Sequence, residues 1–277
     1  MLFQRNGDFL MVTLSIIMDA KSVNQITFCL FKSKKMSSSQ KMVSEPQISV
    51  VIPVLDGESC WKEIIADLAV FPVSSEFLFI SNGDQPLGFA ELVHQFQIDG
   101  RCRWVRTSIG RAVQMNCGAS AARYSHLLFL HSDSRLNEMG IRKLIMSLNS
   151  FPEALHYFNL KFQDQSFLLM QLNQWGVYIR SHLLGIPFGD QGLCLKRDRF
   201  FELGGYDETA PYGEDHLLVW KARRNGIRLK CTGAAIETSA RKYQQHGWLK
   251  ITWKHLRLTV RQAVPQFLLL IKERIRL

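Results

Sequence analysis

HLLFLHSDSRL, residues 126–136, decides how the chain is read. Four apolar residues, Leu127 to Leu130, run without a break into His131, Ser132, Asp133 and Ser134. Such a run, bounded by polar residues, reads as a strand buried on both faces, placed here over Leu127–His131. A carboxylate then stands where that strand ends.

The upstream sequence supplies partners for this strand. ISVVIPV, residues 48–54, is apolar and rich in β-branched side chains, and it reads as a second buried strand. A helical pattern follows through Trp61, Ile64, Ile65 and Leu68. EFLFIS, residues 76–81, is a strand that stops at an Asn82-Gly83 turn. A helix near Leu87–Phe96, a short strand over Cys102–Thr107 and a small-residue helix from Gly110 to Tyr124 complete the series. Strands that alternate with helices predict an α/β fold with a parallel sheet covered on both faces. Ligands in such sheets gather beyond the carboxyl ends of the strands. The informative residues are therefore 53–58, 81–84, 108–111 and 131–134.

Composition narrows the function. The chain has 277 residues, 47% of them hydrophobic, enough for one sizeable core with extensions. Its net charge of +10 is unevenly spread. Residues 241–277 hold nine Lys/Arg against one acid and residues 1–47 hold six against three, whereas residues 48–240 hold nineteen against twenty. The basicity belongs to the tails, so the body carries no electrostatic footprint for nucleic acid, and no nucleic-acid partner is expected. The six cysteines are scattered without a C-x-x-C pair, as expected of reduced thiols rather than disulfides or zinc ligands. The longest N-terminal apolar run, Phe9–Met18, is short and follows Asp8, a poor signal peptide and too short for a membrane span. The expected location is cytoplasmic, with peripheral contact at the inner face of the membrane. Three segments are expected: an N-terminal extension and linker over 1–45, an α/β domain over 46–240 and a basic amphipathic helical segment over 241–277.

The common phosphate loops and nucleophiles of α/β proteins are missing. PVLDGES follows the first strand in place of G-x-G-x-x-G, and neither a Walker A motif nor G-x-S-x-G occurs. Asp133 either caps the helix that begins near Asn137 or anchors a hard divalent ion that bridges phosphate oxygens. Arg111 opens a helix, where backbone N–H groups and a guanidinium together attract phosphate. Glu214 and Asp215 open another helix and are either acids suited to its dipole or a reactive pair. In the tail, Leu249, Trp253, Leu256, Val260 and Val264 recur at helical spacing beside Lys250, Lys254, Arg257 and Arg261. That pattern is either a helix packed on the domain or a contact with an anionic membrane surface. Pro265 is expected to end or kink it.

Four blocks carry a resemblance. ISVVIPVLDGES, GRAVQMNCGASAARYSHLLFLHSDS, GIPFGDQGLCLKRDRFFELGGYD and GEDHLLVWKARRNG follow one another in the order seen in inverting family 2 glycosyltransferases. From about Ile48 onward the chain resembles that family, and most closely a bacterial subgroup with His-x-Asp in place of Asp-x-Asp. The resemblance implies the nucleotide-sugar (GT-A) fold, a mostly parallel central sheet flanked by helices. It implies a sugar transferred from a nucleotide-diphosphate donor, with UDP expected, to a hydroxyl acceptor, which the membrane reading of the tail would make lipid-linked. Pro53, Asp56 and Glu58 would then lie beside the nucleotide and Asn82 near the base. Relatives carry Asp at Ser81 or Asn82 followed by Gly-Ser, so the chain departs from the pattern there. Arg111, Gln114 and Asn116 would line the donor pocket. Ser132 and Asp133 would meet the donor, with Asp133 and His131 on a divalent metal, Mn²⁺ or Mg²⁺. Asp190 and Gln191 would serve the sugar or acceptor, and Arg241, with Lys242 and His246, would reach the diphosphate. Asp215 would be the general base, supported by Glu214. The rival readings are a non-catalytic nucleotide- or phosphate-binding module and, less favoured, a basic nucleic-acid-binding protein.

Overall fold

The computed structural model describes residues 45–163, 168–239 and 248–275. Nearly all of the N-terminal extension, and Arg241, Lys242 and His246, lie outside them. The first half alternates as the sequence predicts. It runs β1 (Ile48–Val54), α1 (Trp61–Leu68), β2 (Ser75–Ser81), α2 (Phe89–Gln95), β3 (Cys102–Arg106), α3 (Arg111–Ala121) and β4 (His126–Phe129). The second half adds β5 (Ser134–Arg135), α4 (Glu138–Ser150), β6 (Leu155–Phe162), α5 (Leu168–His182) and β7 (Leu193–Lys196). It closes with α6 (Arg197–Glu202), α7 (Glu214–Arg224), β8 (Leu229–Thr238) and α8 (Trp248–Ile275).

The eight strands form one sheet in the order β3-β2-β1-β4-β7-β6-β8-β5. β1, β2, β3 and β4 are parallel, and so are β6 and β8. β7 runs antiparallel to both β4 and β6, and β5 antiparallel to β8. The sheet is therefore mixed rather than wholly parallel. The reversal has a simple cause: Leu193 begins β7 opposite Phe129, the end of β4, so β7 can only run back along it.

Alternation of side chains across the sheet builds two cores. Val50, Ile52, Phe77 and Phe79 point to one face and pack with Trp61, Ile64 and Ile65 of α1. Val51, Leu78 and Ile80 point to the other and pack with Met115 and Ala119 of α3. Each such side chain contributes about 1.5–3 kcal/mol on burial. The small residues of α3 have a packing reason: any Cβ on Gly118 would overlap the Val51 side chain. The one acid inside β2, Glu76, is buried but fully engaged. Ser49 Oγ donates to it at 2.7 Å, Arg103 Nη2 at 3.0 Å and the Arg123 backbone N–H at 2.6 Å. Burial raises the thiols of Cys102, to about 12, and of Cys194 and Cys231, which suits inert core positions.

One alternative falls away and one expectation is corrected. Asn137, not Asp133, caps α4, its Oδ1 accepting the Gly140 N–H at 2.9 Å. Pro265 does not end the last helix, which runs on to Ile275 with Pro265 inside it. The reason lies in the contacts on either side of the proline. Gln262, Gln266 and Leu270 all meet the domain, so packing offsets the one backbone bond that proline removes.

Candidate functional site

The loops after β1, β2 and β4 meet at one end of the sheet. Glu58 ties two of them together, accepting the Leu55 N–H at 3.1 Å and the Ser132 hydroxyl at 3.1 Å. Asn82 ties the first two, its Oδ1 accepting the Asp56 N–H at 3.1 Å. Gly83 lies against the exposed Asp56 side chain, which a Cβ there would push aside. Between these loops lies a cavity of about 190 Å³ lined by Asp56, Glu58, Ser81 and the rings of Trp61 and Trp104. Its size suits one aromatic ring system such as a nucleobase rather than a whole nucleotide sugar. Pro53 precedes it on β1, half-buried.

The second centre is acidic and basic together. α7 opens on Glu214 and Asp215, and the three-residue turn Gly189–Gln191 stands against it. One Asp215 oxygen, Oδ2, accepts the Gly189 N–H, and the other accepts the His216 N–H at 2.8 Å. Each oxygen keeps a second lone pair, so the carboxylate is aimed without being used up. Arg111, at the start of α3, places Nε 3.2 Å from Glu214 Oε1 and Nη2 against His131 Nε2. Gly189 has no room for a side chain: a Cβ would lie 2.6 Å from Asp215 Oδ2 and 3.0 Å from Arg111 Nη2.

Asp190 is the electrical focus of the group. Its Oδ1 is sealed from solvent without a hydrogen-bond partner among the described residues. Burial pushes its carboxyl above the usual range. The Asp215 and Asp133 charges push the same way, against Arg180 and Arg111. Tyr206 Oη, also buried and without a partner, lies within the field of Asp215, Arg111 and Glu214. Burial, reinforced by Asp215, keeps that phenol protonated well beyond its ordinary range.

His216 fixes the helix that carries Asp215. Trp220 Nε1 donates to its Nε2 at 2.7 Å, so the ring proton sits on Nδ1 and donates to Gln262 of α8 at 2.7 Å. Burial holds this imidazole neutral by lowering its pKa. The last helix thus braces the acidic pair through Gln262, whose Nε2 also donates to the Tyr212 carbonyl at 3.0 Å.

Three expected site residues do other work. Gln114 is buried and donates from Nε2 to the carbonyls of Val54 and Ile80, at 2.8 and 2.9 Å, stapling the ends of β1 and β2. Asn116 holds the Tyr206 backbone by both its N–H and its carbonyl, at 2.9 Å each. Gln191, fully buried, donates to Phe158 O at 2.9 Å and accepts from Arg180 at 3.0 Å. The amides of these three hold the backbone of the loops that carry the site. The sequence reading missed Gly189, Arg180 and Tyr206. Gly189 and Tyr206 lie in quoted blocks whose glycines and aromatics signal close packing, whereas Arg180 lies in a helix with no motif.

Among the described residues no three His, Cys, Asp or Glu side chains gather into a metal cage. His131 points Nε2 at a guanidinium, which does not suit a ligand nitrogen. Asp133, half-buried at the strand end, fits the mode in which one carboxylate anchors an ion held mainly by substrate phosphates.

Solved structures share this architecture. The mannosyltransferase PcManGT from Pyrobaculum calidifontis, solved with GDP-Man and Mn²⁺, superposes with a TM-score of 0.59 at 15% identity, over 83% of this chain and 69% of that one. The fold is that of GT-A glycosyltransferases. S. aureus TarS matches with a TM-score of 0.55 at 16% identity, over 70% of this chain and 37% of its own. TarS 1–349 in complex with UDP-GlcNAc matches with 0.55 at 15%, over 70% and 58%. The match thus spans well under two thirds of either TarS chain. No family model and no curated protein matches the sequence.

Proposed function

We propose that the protein is an inverting glycosyltransferase that uses a nucleotide-diphosphate sugar, with UDP the expected nucleotide. The observation that carries this reading is the junction of two unlike centres at the strand ends. A nucleobase-sized cavity lies between the β1 and β2 loops, and the charges of Asp215 and Asp133 both bear on the buried Asp190, against Arg180 and Arg111. A binding module needs only the first centre. The neighbours solved with UDP-GlcNAc and with GDP-Man and Mn²⁺ support the donor class.

In this mechanism the acceptor hydroxyl attacks the anomeric carbon and gives its proton to Asp215. The bond from that carbon to the diphosphate oxygen breaks, and the nucleoside diphosphate leaves from the opposite face. The Gly189 and His216 N–H groups keep the Asp215 carboxylate aimed. Glu214 holds Arg111 where its free N–H groups meet anionic oxygen. Asp133 would hold a divalent ion, which when bound neutralises diphosphate charge. Asp56 and Glu58 border the nucleotide, and Asn82, with Oδ1 already engaged, offers the base its amide N–H groups. Arg241 belongs to this reading as a group that meets the diphosphate. A thermal-shift panel of nucleotide sugars with and without Mn²⁺ tests it: the correct donor raises the midpoint, and no response to any nucleotide rejects it.

The C-terminal helix is proposed as a peripheral contact with an anionic membrane, where a lipid-linked acceptor would lie. No described helix is long and apolar enough to cross a membrane. Gln262, Ala263, Gln266 and Leu270 form the face of α8 that packs on the domain. The stripe Leu249, Trp253, Leu256, Val260 and Val264 is more than half exposed at every position. An unburied apolar stripe beside Lys250, Lys254, Arg257 and Arg261 matches an anionic bilayer surface. Trp253→Glu with Leu256→Glu should abolish flotation with vesicles rich in phosphatidylglycerol, whereas unchanged flotation would exclude the contact.

A further inference from the structure

Beyond β7 in the strand order, on the far side from β1 and β2, α5 and β6 line an open cavity of about 500 Å³. The volume lies within the range of small-molecule sites. Gln171, Gln174, Trp175, Tyr178 and Ser181 line it from α5, and Asn159 from β6. The α5 residues recur at intervals of three, one, three and three, the spacing of a single helical face. The edge of this face is anchored in the core by Met170, with Val177, which also borders the cavity, partly buried against the same cluster.

Packing does not account for the lining. Trp175 is 66% exposed and Tyr178 52% exposed, large apolar surfaces that the fold leaves open. The Tyr178 ring is nevertheless fixed, stacked on His182 at 4.0 Å with 18° between the planes. Gln171 and Gln174 make no hydrogen bond to any described residue. Asn159 spends only Oδ1, on the Cys231 thiol at 3.5 Å, and keeps its two amide N–H groups. The cavity therefore offers two aromatic faces and several unspent amide donors and acceptors, with no charged side chain among its lining residues.

We propose that this cavity binds a pyranose ring of the acceptor, away from the hydroxyl that reacts. A pyranose has a face of C–H groups with partial positive charge and an equatorial rim of hydroxyls. The first suits the negative face of an aromatic ring, and the second suits amides, which donate and accept at once. A phosphate would require cations in the lining, and a lipid chain would leave the amides unpaired. The position also fits a transferase. The sheet order sets the donor loops on β1, β2 and β4, the base beside β7 and the cavity on β6. Arg180, one residue before Ser181, covers the Phe188 ring at 3.4 Å and donates to Gln191 at 3.0 Å. Filling the cavity and orienting the Asp190 turn thus engage the same helix. That the saccharide is the acceptor rests on the glycosyltransferase reading; that the cavity takes a saccharide does not.

The test is an array of mono- to tetrasaccharides of glucose, galactose, mannose and N-acetylglucosamine. It is probed with labelled full-length protein, Trp175→Ala and Gln174→Leu, with stabilisation by UDP recorded in parallel. Retention of a saccharide by the wild type, weakened about tenfold or more in both variants with UDP stabilisation unchanged, supports the site. Equal retention by wild type and variants, or no saccharide retained by the wild type, overturns it. Saccharide retention that depends on Trp175 in a protein blind to every nucleotide would keep the cavity's assignment and remove the transferase reading.

Discussion

Asp190 sits where burial disfavours its charged form, and this has a pH signature. Its folded pKa lies above the ordinary carboxylate value because burial outweighs the nearby arginines. Below about pH 4 the carboxyl is protonated in both folded and unfolded chains. As pH rises, the unfolded chain ionises first, so the folded state binds more protons and stability falls until the folded pKa is passed. Above that point the full cost remains. Asp190→Asn should therefore raise the urea midpoint at pH 7, and the gain should vanish near pH 3; no gain at pH 7 would show that the carboxylate is not strained. The neighbouring glycine makes a second case. Gly189→Ala would force the Asp215 carboxylate aside, since its Cβ would lie 2.6 Å from Oδ2. Release of UDP from the donor should slow by about a hundredfold while the fold persists, the scale of losing a positioned base. A turnover rate equal to that of the wild type would mean that Asp215 does not act from this position.

At the scale of elements, α3 shows how a helix couples core to site. Its small residues let it press on β1, and Gln114 reaches through to the carbonyl ends of β1 and β2. Gln114→Leu should cost about 1–3 kcal/mol, the penalty for stranding buried carbonyls, read as a lower urea midpoint with UDP binding retained. A collapse of UDP binding at unchanged stability would instead make Gln114 a ligand-binding residue. Elements with continuous apolar runs were legible: β1 falls where the sequence put it and β2 and β3 within a residue, while β4 stops at Phe129, two residues before the expected His131. β6 and β8 were not. LHYFNLKF and LKCTGAAIET mix polar and small residues, because their polar side chains answer one another across the sheet, as Lys161 and Glu237 do at 2.6 Å. The helix α5 was invisible for a related reason. It buries little of its surface, so its apolar residues trace no single stripe.

At the scale of the whole molecule, charge and apolar exposure both concentrate at the C-terminal end. α8 is basic along its length, and its packing face mixes the amides Gln262 and Gln266 with Ala263 and Leu270. Nothing in the sequence marks Gln262 as the brace of His216, because the apolar stripe drew attention to the opposite face. The strand-end groups were legible by contrast, since a topological rule says where ligands gather in such sheets. What that rule could not supply is the division of labour among the polar residues. Gln114, Asn116 and Gln191 look like ligand groups in sequence and turn out to hold the backbone.

In the proposed mechanism Asp133 grips the donor while Asp215 activates the acceptor. Calorimetric titration of UDP with Mn²⁺ tests this most directly, applied to the wild type, Asp133→Ala and Asp215→Asn. The wild type and Asp215→Asn should bind alike, and Asp133→Ala should bind at least about tenfold more weakly, near 1.4 kcal/mol. Binding of equal strength by Asp133→Ala and the wild type would contradict the account.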